Sequence, residues 1–120
     1  MANLNISQLV QLARQVGFPE QAVPDMAATW MGESGGNPRA HNNNRSTGDN
    51  SYGIGQVNVI DELGEERRKQ FGLSRNEDLF DPLVNAKASR TIWDSQGFDA
   101  WGAHRSGAYK QYLAAAQAAA

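Results

Sequence analysis

Glu33-Ser34-Gly35-Gly36-Asn37-Pro38 places a carboxylate and then a glycine pair at the end of the apolar run Met26-Ala27-Ala28-Thr29-Trp30-Met31-Gly32. A polar loop later the chain reads Ser51-Tyr52-Gly53-Ile54-Gly55-Gln56-Val57-Asn58. The two glycines after Glu33 leave no side chain to fill the space above its carboxylate. Apolar neighbours disfavour the ionised form, so Glu33 is expected to stay protonated near neutral pH and to serve as an acid. A carboxylic acid at the head of an open cleft is what cleavage of a glycosidic bond requires.

Working outward, the chain reads as helices joined by polar loops. Ile6, Leu9, Val10, Ala13 and Val16 recur at helical spacing after Asn5, and Gly17 ends the run. Pro24 suits the first turn of a helix that finishes at Glu33 and the glycine pair. Residues 35–53 are too polar for a core; a loop of this length points to a functional loop or a small hairpin within it. A charged helix is expected from Asp61 to Gln70, ending near Gly72. Asp81-Pro82 is a start signal, an N-cap with proline at the first helical position, for a helix that carries Leu83, Val84, Ala88, Ile92 and Trp93 to Gly97. A last helix begins near Gly107 and runs through Tyr109, Tyr112 and Leu113 into an alanine-rich end with nothing large to bury. That end reads as a frayed terminus or as the start of a further domain.

Composition narrows the classes. At 120 residues the chain is one domain, with a modest core. A net charge of −2 and the lack of a basic run with interleaved aromatics argue against nucleic acid as a partner. The same charge gives no help in approaching an anionic polymer. There is no cysteine, hence no disulfide or thiolate metal site. No apolar run approaches membrane-spanning length, and no basic segment followed by an apolar one opens the sequence. His41 and His104 are the only histidines, and neither has a partner at metal-ligand spacing, so neither a metal nor another cofactor is expected and a metal-dependent peptidase is disfavoured.

Three blocks together resemble the lysozyme-like superfamily, in its soluble lytic transglycosylase and goose-type lysozyme branch and in the small form found in phage virion-associated enzymes. Glu33-Ser34-Gly35-Gly36-Asn37-Pro38 is similar to the family's catalytic block, Tyr52-Gly53-Ile54-Gly55-Gln56-Val57-Asn58 to its Gly-Leu-Met-Gln block, and Asp81-Pro82-Leu83-Val84-Asn85-Ala86 to its Asp-Pro-x-x-Asn helix start. The three organise residues from about 20 to 113. The resemblance implies a mainly α, lysozyme-like (α+β) domain over residues 1–120, with a long polar loop or small β-hairpin beside the cleft. It implies action on peptidoglycan glycan strands, at the β-1,4 bond between N-acetylmuramic acid and N-acetylglucosamine. Glu33 would act as acid and then base, and the product would carry a 1,6-anhydro end. Ser34 would hold a substrate N-acetyl or peptide group, Gln56 would contact sugar, and Gly53 and Gly55, around Ile54, would let the backbone approach the substrate. Tyr52 would offer a stacking face or a hydroxyl, with Trp101 and Tyr109 as further cleft residues. Where the family carries Tyr-Asn-Ala-Gly, this chain has His104-Arg105-Ser106-Gly107, which would put a histidine near the acid; alternatively Trp101 fills that space and His104 is peripheral.

Each of these residues also has a plainer reading. A glutamate at a helix C-terminus is ordinarily a solvated surface group, unfavourable with the helix dipole. Gly53 and Gly55 alone are turn punctuation, Gln56 can bond buried backbone, and Asn85 can brace a loop. Trp30 and Trp93 lie on apolar helix faces and read as core. Asp49, in Thr47-Gly48-Asp49-Asn50-Ser51, is the one candidate for the second carboxylate that an inverting lysozyme needs, at about 6.5–9.5 Å from the acid. Its plainer reading, a turn aspartate that bonds its own backbone, is the preferred one. The expectation is therefore a lytic transglycosylase, with a hydrolytic lysozyme using Asp49, or a non-catalytic wall-binding module, as alternatives. The isolated domain is expected to be a monomer. It is expected to belong to a phage particle, in its tail or interior, as a whole protein or as the N-terminal part of a longer one; the alternative is an endolysin that a holin releases from the host cytoplasm.

Overall fold

A computed structural model describes residues 2–120. Helix α1 (Ile6–Gln15) opens with a capping box: Asn5 accepts from the Gln8 N–H, and the Gln8 side chain accepts from the Asn5 N–H. Its inner face carries Leu9, Val10 and Ala13, all without exposed surface. Helix α2 (Val23–Ser34) takes Pro24 in its first turn, as its sequence predicts, and ends on Gly35 in the left-handed conformation (φ 65°). The centre of α2 is buried without a break from Met26 to Trp30, and all but Thr29 of that stretch is apolar. This is the helix around which the others pack.

The long polar segment is a hairpin. Strand β1 (His41–Asn44) pairs antiparallel with β2 (Asp49–Tyr52), in the register His41 opposite Tyr52 and Asn44 opposite Asp49. The connection is one 3₁₀ turn, Arg45–Thr47, which Asn44 caps by accepting from the Ser46 N–H. A third strand, β3 (Val57–Asn58), which the sequence pattern does not announce, adds to the other edge of β2. Helix α3 (Asp61–Phe71) and a 3₁₀ turn (Asn76–Phe80) lead to helix α4 (Pro82–Gln96). There Asp81 caps as expected, accepting from the Leu83 N–H at 2.9 Å.

The last helix forms where the sequence places it, but two short elements that the sequence did not announce precede it. A 3₁₀ turn (Gly97–Ala100) and the short helix α5 (Gly102–Arg105) fold back against α2 before the chain turns at Gly107 into helix α6 (Lys110–Ala119). The alanine-rich end is neither frayed nor idle. Helix α6 lies on α1 and α2, and Ala116 is fully buried because small side chains let the backbones approach closely. No described helix is long and apolar enough to cross a membrane.

Candidate active site

The junction between the helices and the sheet is held by Asn85, one turn into α4. Its side-chain amide donates to the carbonyls of Tyr52 (2.7 Å) and Leu79 (3.0 Å), while its oxygen accepts from the Gly55 N–H (3.0 Å). All of this is buried, in a region where an unpaired polar group would be costly. Gly53 and Gly55 are explained by the same contact. A side chain on Gly53 would collide with Asn85 and the Leu79 carbonyl, and one on Gly55 with Ser89 and Asn85. The close approach these glycines permit is thus to the protein itself and not, as the sequence suggested, to a ligand.

In front of this junction lies a cleft of about 370 Å³. Glu33 at the end of α2 and the segment Ala100–Gly102 with Arg105 line one side of it; Asn42, Asp49, Ser51 and Asn58 from the sheet, with Gln56, line the other. Glu33 is half-buried, and its Oε2 accepts a hydrogen bond from the Ala103 N–H at 2.8 Å. Burial pushes its pKa above the ordinary 4.5, the Asp49 charge adds to the rise, and the Ala103 N–H and the Arg105 guanidinium act against it. The opening above the carboxylate comes from Gly102, where the nearest atoms to a missing side chain are Arg105 Nη2 at 3.5 Å and Glu33 Oε2 at 3.9 Å. The glycine pair after Glu33 serves other ends: Gly35 reverses the chain, and Gly36 makes room for the Leu4 backbone, whose N–H bonds the Gly36 carbonyl at 2.8 Å.

Of the residues expected at the cleft, Glu33, Asp49, Gln56 and Trp101 line it together. Asp49 stands on β2 and accepts from the hydroxyls of Thr47 (2.7 Å) and Ser51 (3.2 Å), so its bonds run to side chains and not to its own backbone. Gln56 has a left-handed backbone (φ 47°), unusual for a residue with a side chain. Its amide nitrogen donates to the carbonyls of Gly53 (3.0 Å) and Ala40 (3.2 Å), as the plainer reading held, and no described donor bonds its amide oxygen. Trp101 forms the floor: it is almost wholly buried and donates its indole N–H to the Gly55 carbonyl at 2.9 Å.

The other expected positions lie elsewhere. Ser34 Oγ caps its own helix, donating to the Trp30 carbonyl (3.1 Å) and accepting from the Gly36 N–H (3.2 Å). Ile54 has no exposed surface, and Tyr52 is buried between His41 and Phe80, with ring centroids at 4.2 and 5.3 Å. Neither offers a face to a ligand. His104 is not beside Glu33. It is stacked between Phe98 and Tyr109, at 4.6 and 4.1 Å, with Nε2 3.8 Å from Asp25, and the backbone N–H of its neighbour Ala103 makes the contact expected of it. That stack also takes Tyr109 out of the cleft lining. Trp30 is core, donating its indole N–H to Ser89 Oγ. Sequence reasoning missed Asn42, Gly102 and Arg105. Only Arg105 left a signal, as the neighbour of His104 in the block compared with the family's tyrosine segment.

Among the described residues no cluster of three or more histidine or carboxylate side chains is arranged to hold a metal ion. The cleft therefore offers a half-buried carboxyl group with one backbone donor, a second carboxylate across from it, one guanidinium and several amides. Such a set can move a proton onto a ligand oxygen while holding sugar hydroxyls and amides. No curated protein and no solved structure matches the chain. A family model described as a lysozyme-like domain matches residues 10–103, a span that includes all three sequence blocks and the cleft as far as Ala103. Membership suggests glycosidase action on peptidoglycan. The chain belongs to the lysozyme-like domain family.

Proposed function

We propose that the protein is a lytic transglycosylase that cleaves the β-1,4 bond between N-acetylmuramic acid and N-acetylglucosamine, with Glu33 as its general acid and then base. One observation carries this reading: a half-buried carboxyl group of raised pKa, held on one oxygen by the Ala103 N–H, in the cleft of a lysozyme-like domain. Since Oε2 is an acceptor, the acidic proton belongs on Oε1. It passes to the bridging oxygen as the C1–O bond breaks, and the sugar's N-acetyl group stabilises the oxocarbenium-like centre. The Glu33 carboxylate then takes the proton of the 6-hydroxyl as that oxygen closes on C1. The acid is restored, and no water is consumed.

A hydrolytic lysozyme is the second reading, favoured by one observation: Asp49 lines the same cleft and its charge raises the pKa of Glu33. Against it, each Asp49 oxygen is held by a neighbouring hydroxyl, Thr47 on one and Ser51 on the other, an arrangement that suits a brace within the sheet. Mass spectrometry of the soluble muropeptides released from purified peptidoglycan separates the two. Transglycosylation gives products one water lighter, with 1,6-anhydro ends. Reducing N-acetylmuramic acid ends would give Asp49 the role of activating water.

A further inference from the structure

Among the described residues Arg105 is the one cation lining the cleft, which otherwise holds two carboxylates and neutral groups. The chain as a whole carries a charge of −2. An anionic ligand entering this cleft meets Glu33 and Asp49, and only Arg105 can offset them. The guanidinium is built in and not merely adjacent. Its Nη1 donates to the Asp99 carbonyl at 2.6 Å, which ties the head of the side chain to the 3₁₀ turn before α5. No described carboxylate lies within ion-pair distance of it. Its Nη2 and Glu33 Oε2 both lie within 4 Å of the point where a Gly102 side chain would begin, so acid and guanidinium flank a single gap. A guanidinium fork with one nitrogen anchored and the rest unpaired suits a carboxylate, which it can grip through two parallel hydrogen bonds.

We propose that Arg105 is a specificity residue that receives a carboxylate on the lactyl-peptide arm of the glycan. The inference rests on the glycan-cleaving reading above. That arm leaves C3 of the ring whose C1–O bond is broken, so the Glu33 carboxyl group and a cation close to it can serve the two ends of a single sugar. The arm is also what distinguishes peptidoglycan from an unsubstituted N-acetylglucosamine polymer. Two sources supply the same chemistry, the lactyl carboxylate itself and the carboxylates of an attached peptide stem.

The test is calorimetric binding to the Glu33→Gln protein, which removes turnover from the measurement. Three soluble strands are compared: strands with peptide stems, strands stripped of stems to expose lactyl carboxylates, and stripped strands with those carboxylates converted to neutral amides. At least one acidic strand should bind about fivefold more tightly than the amidated one, a difference that falls as salt is raised. Arg105→Gln should remove that difference, and Arg105→Lys should restore part of it. A preference for stripped strands assigns the lactyl carboxylate, and one for stemmed strands assigns the peptide. If Arg105→Gln weakens all three strands equally, or none, the proposal is wrong while glycan binding stands. If no strand binds at all, the glycan reading and the inference fall together. In the active protein, Arg105→Gln should raise KM on acidic strands and leave it unchanged on amidated ones. Because the Arg105 charge lowers the pKa of Glu33, its loss should also move the pH profile equally on every substrate; a residue acting solely through Glu33 would show that shift with no KM difference between acidic and amidated strands.

Discussion

On the helical wall of the cleft, Glu33 stands near the end of a helix whose centre is buried, and one backbone N–H holds its carboxylate. On the sheet wall, Asp49 belongs to a small sheet whose outer strand is exposed throughout, and side-chain hydroxyls hold it. The first wall is positioned by apolar packing of α1, α2 and α6; the second by hydrogen bonds, above all those of Asn85. Two carboxylates thus share one cleft in different surroundings, and burial falls on Glu33, the one to which the proposed mechanism gives the proton. The environment, more than the residue type, separates an acid from a bystander.

The sharpest way to break this contrast is to cut the bond between the walls. Asn85→Ala leaves the Gly55 N–H and the carbonyls of Tyr52 and Leu79 buried without their partner, and should cost about 4 kcal/mol of stability in urea denaturation. A cost under about 1 kcal/mol would mean that the sheet is held by something other than Asn85. Gly102→Ala fills the gap above Glu33 at ordinary contact distances, so the thermal midpoint should hold while cleavage falls about tenfold, equivalent to roughly 1.4 kcal/mol. Unchanged cleavage would show that the ligand does not use that gap.

Asp49→Asn sharpens the comparison from the other side. Under transglycosylation it should change the maximal rate by no more than about twofold, as suits a partly solvated charge. It should also move the alkaline limb of activity to lower pH, since a charge that raises the pKa of Glu33 is gone. A loss of a hundredfold or more would favour Asp49 as a catalytic base. The smallest expected effect is on stability. The pKa of Glu33 is higher in the folded state than its ordinary 4.5, so its ionisation weakens the fold as pH rises from that value through the folded pKa. Glu33→Gln should therefore melt above the native protein at pH 7 and converge with it below pH 4.5. The opposite order at pH 7 would contradict the burial argument.

What was legible in the sequence was what local chemistry writes. Asn5 and Asp81-Pro82 mark their helices because caps are short-range, and Glu33 could be read from the apolar run before it. The third block was legible too, although what Asn85 bonds was not. The length of the polar segment pointed to a hairpin as one of two readings, but its strands could not be placed, because β1 reads His-Asn-Asn-Asn and has no apolar alternation to reveal it. Ser34, Tyr52, Gly53 and Ile54 were placed at the cleft because they adjoin residues that are there, but direction within a turn is set by what packs behind it. The same limit explains His104. The return of residues 97–105 onto α2 turns the backbone of Ala103, the Gly102 gap and the Arg105 guanidinium toward Glu33, and the imidazole into an aromatic stack. That fold-back is a tertiary event with no periodic signature.

The most direct test of the account is the release of soluble fragments from purified peptidoglycan by the native protein and by Glu33→Gln, with circular dichroism to show that both are folded. The account predicts release by the native protein and a loss of at least a hundredfold in the variant, the scale of a missing general acid. Native-level release by folded Glu33→Gln would contradict it and move the chemistry to another residue of the cleft.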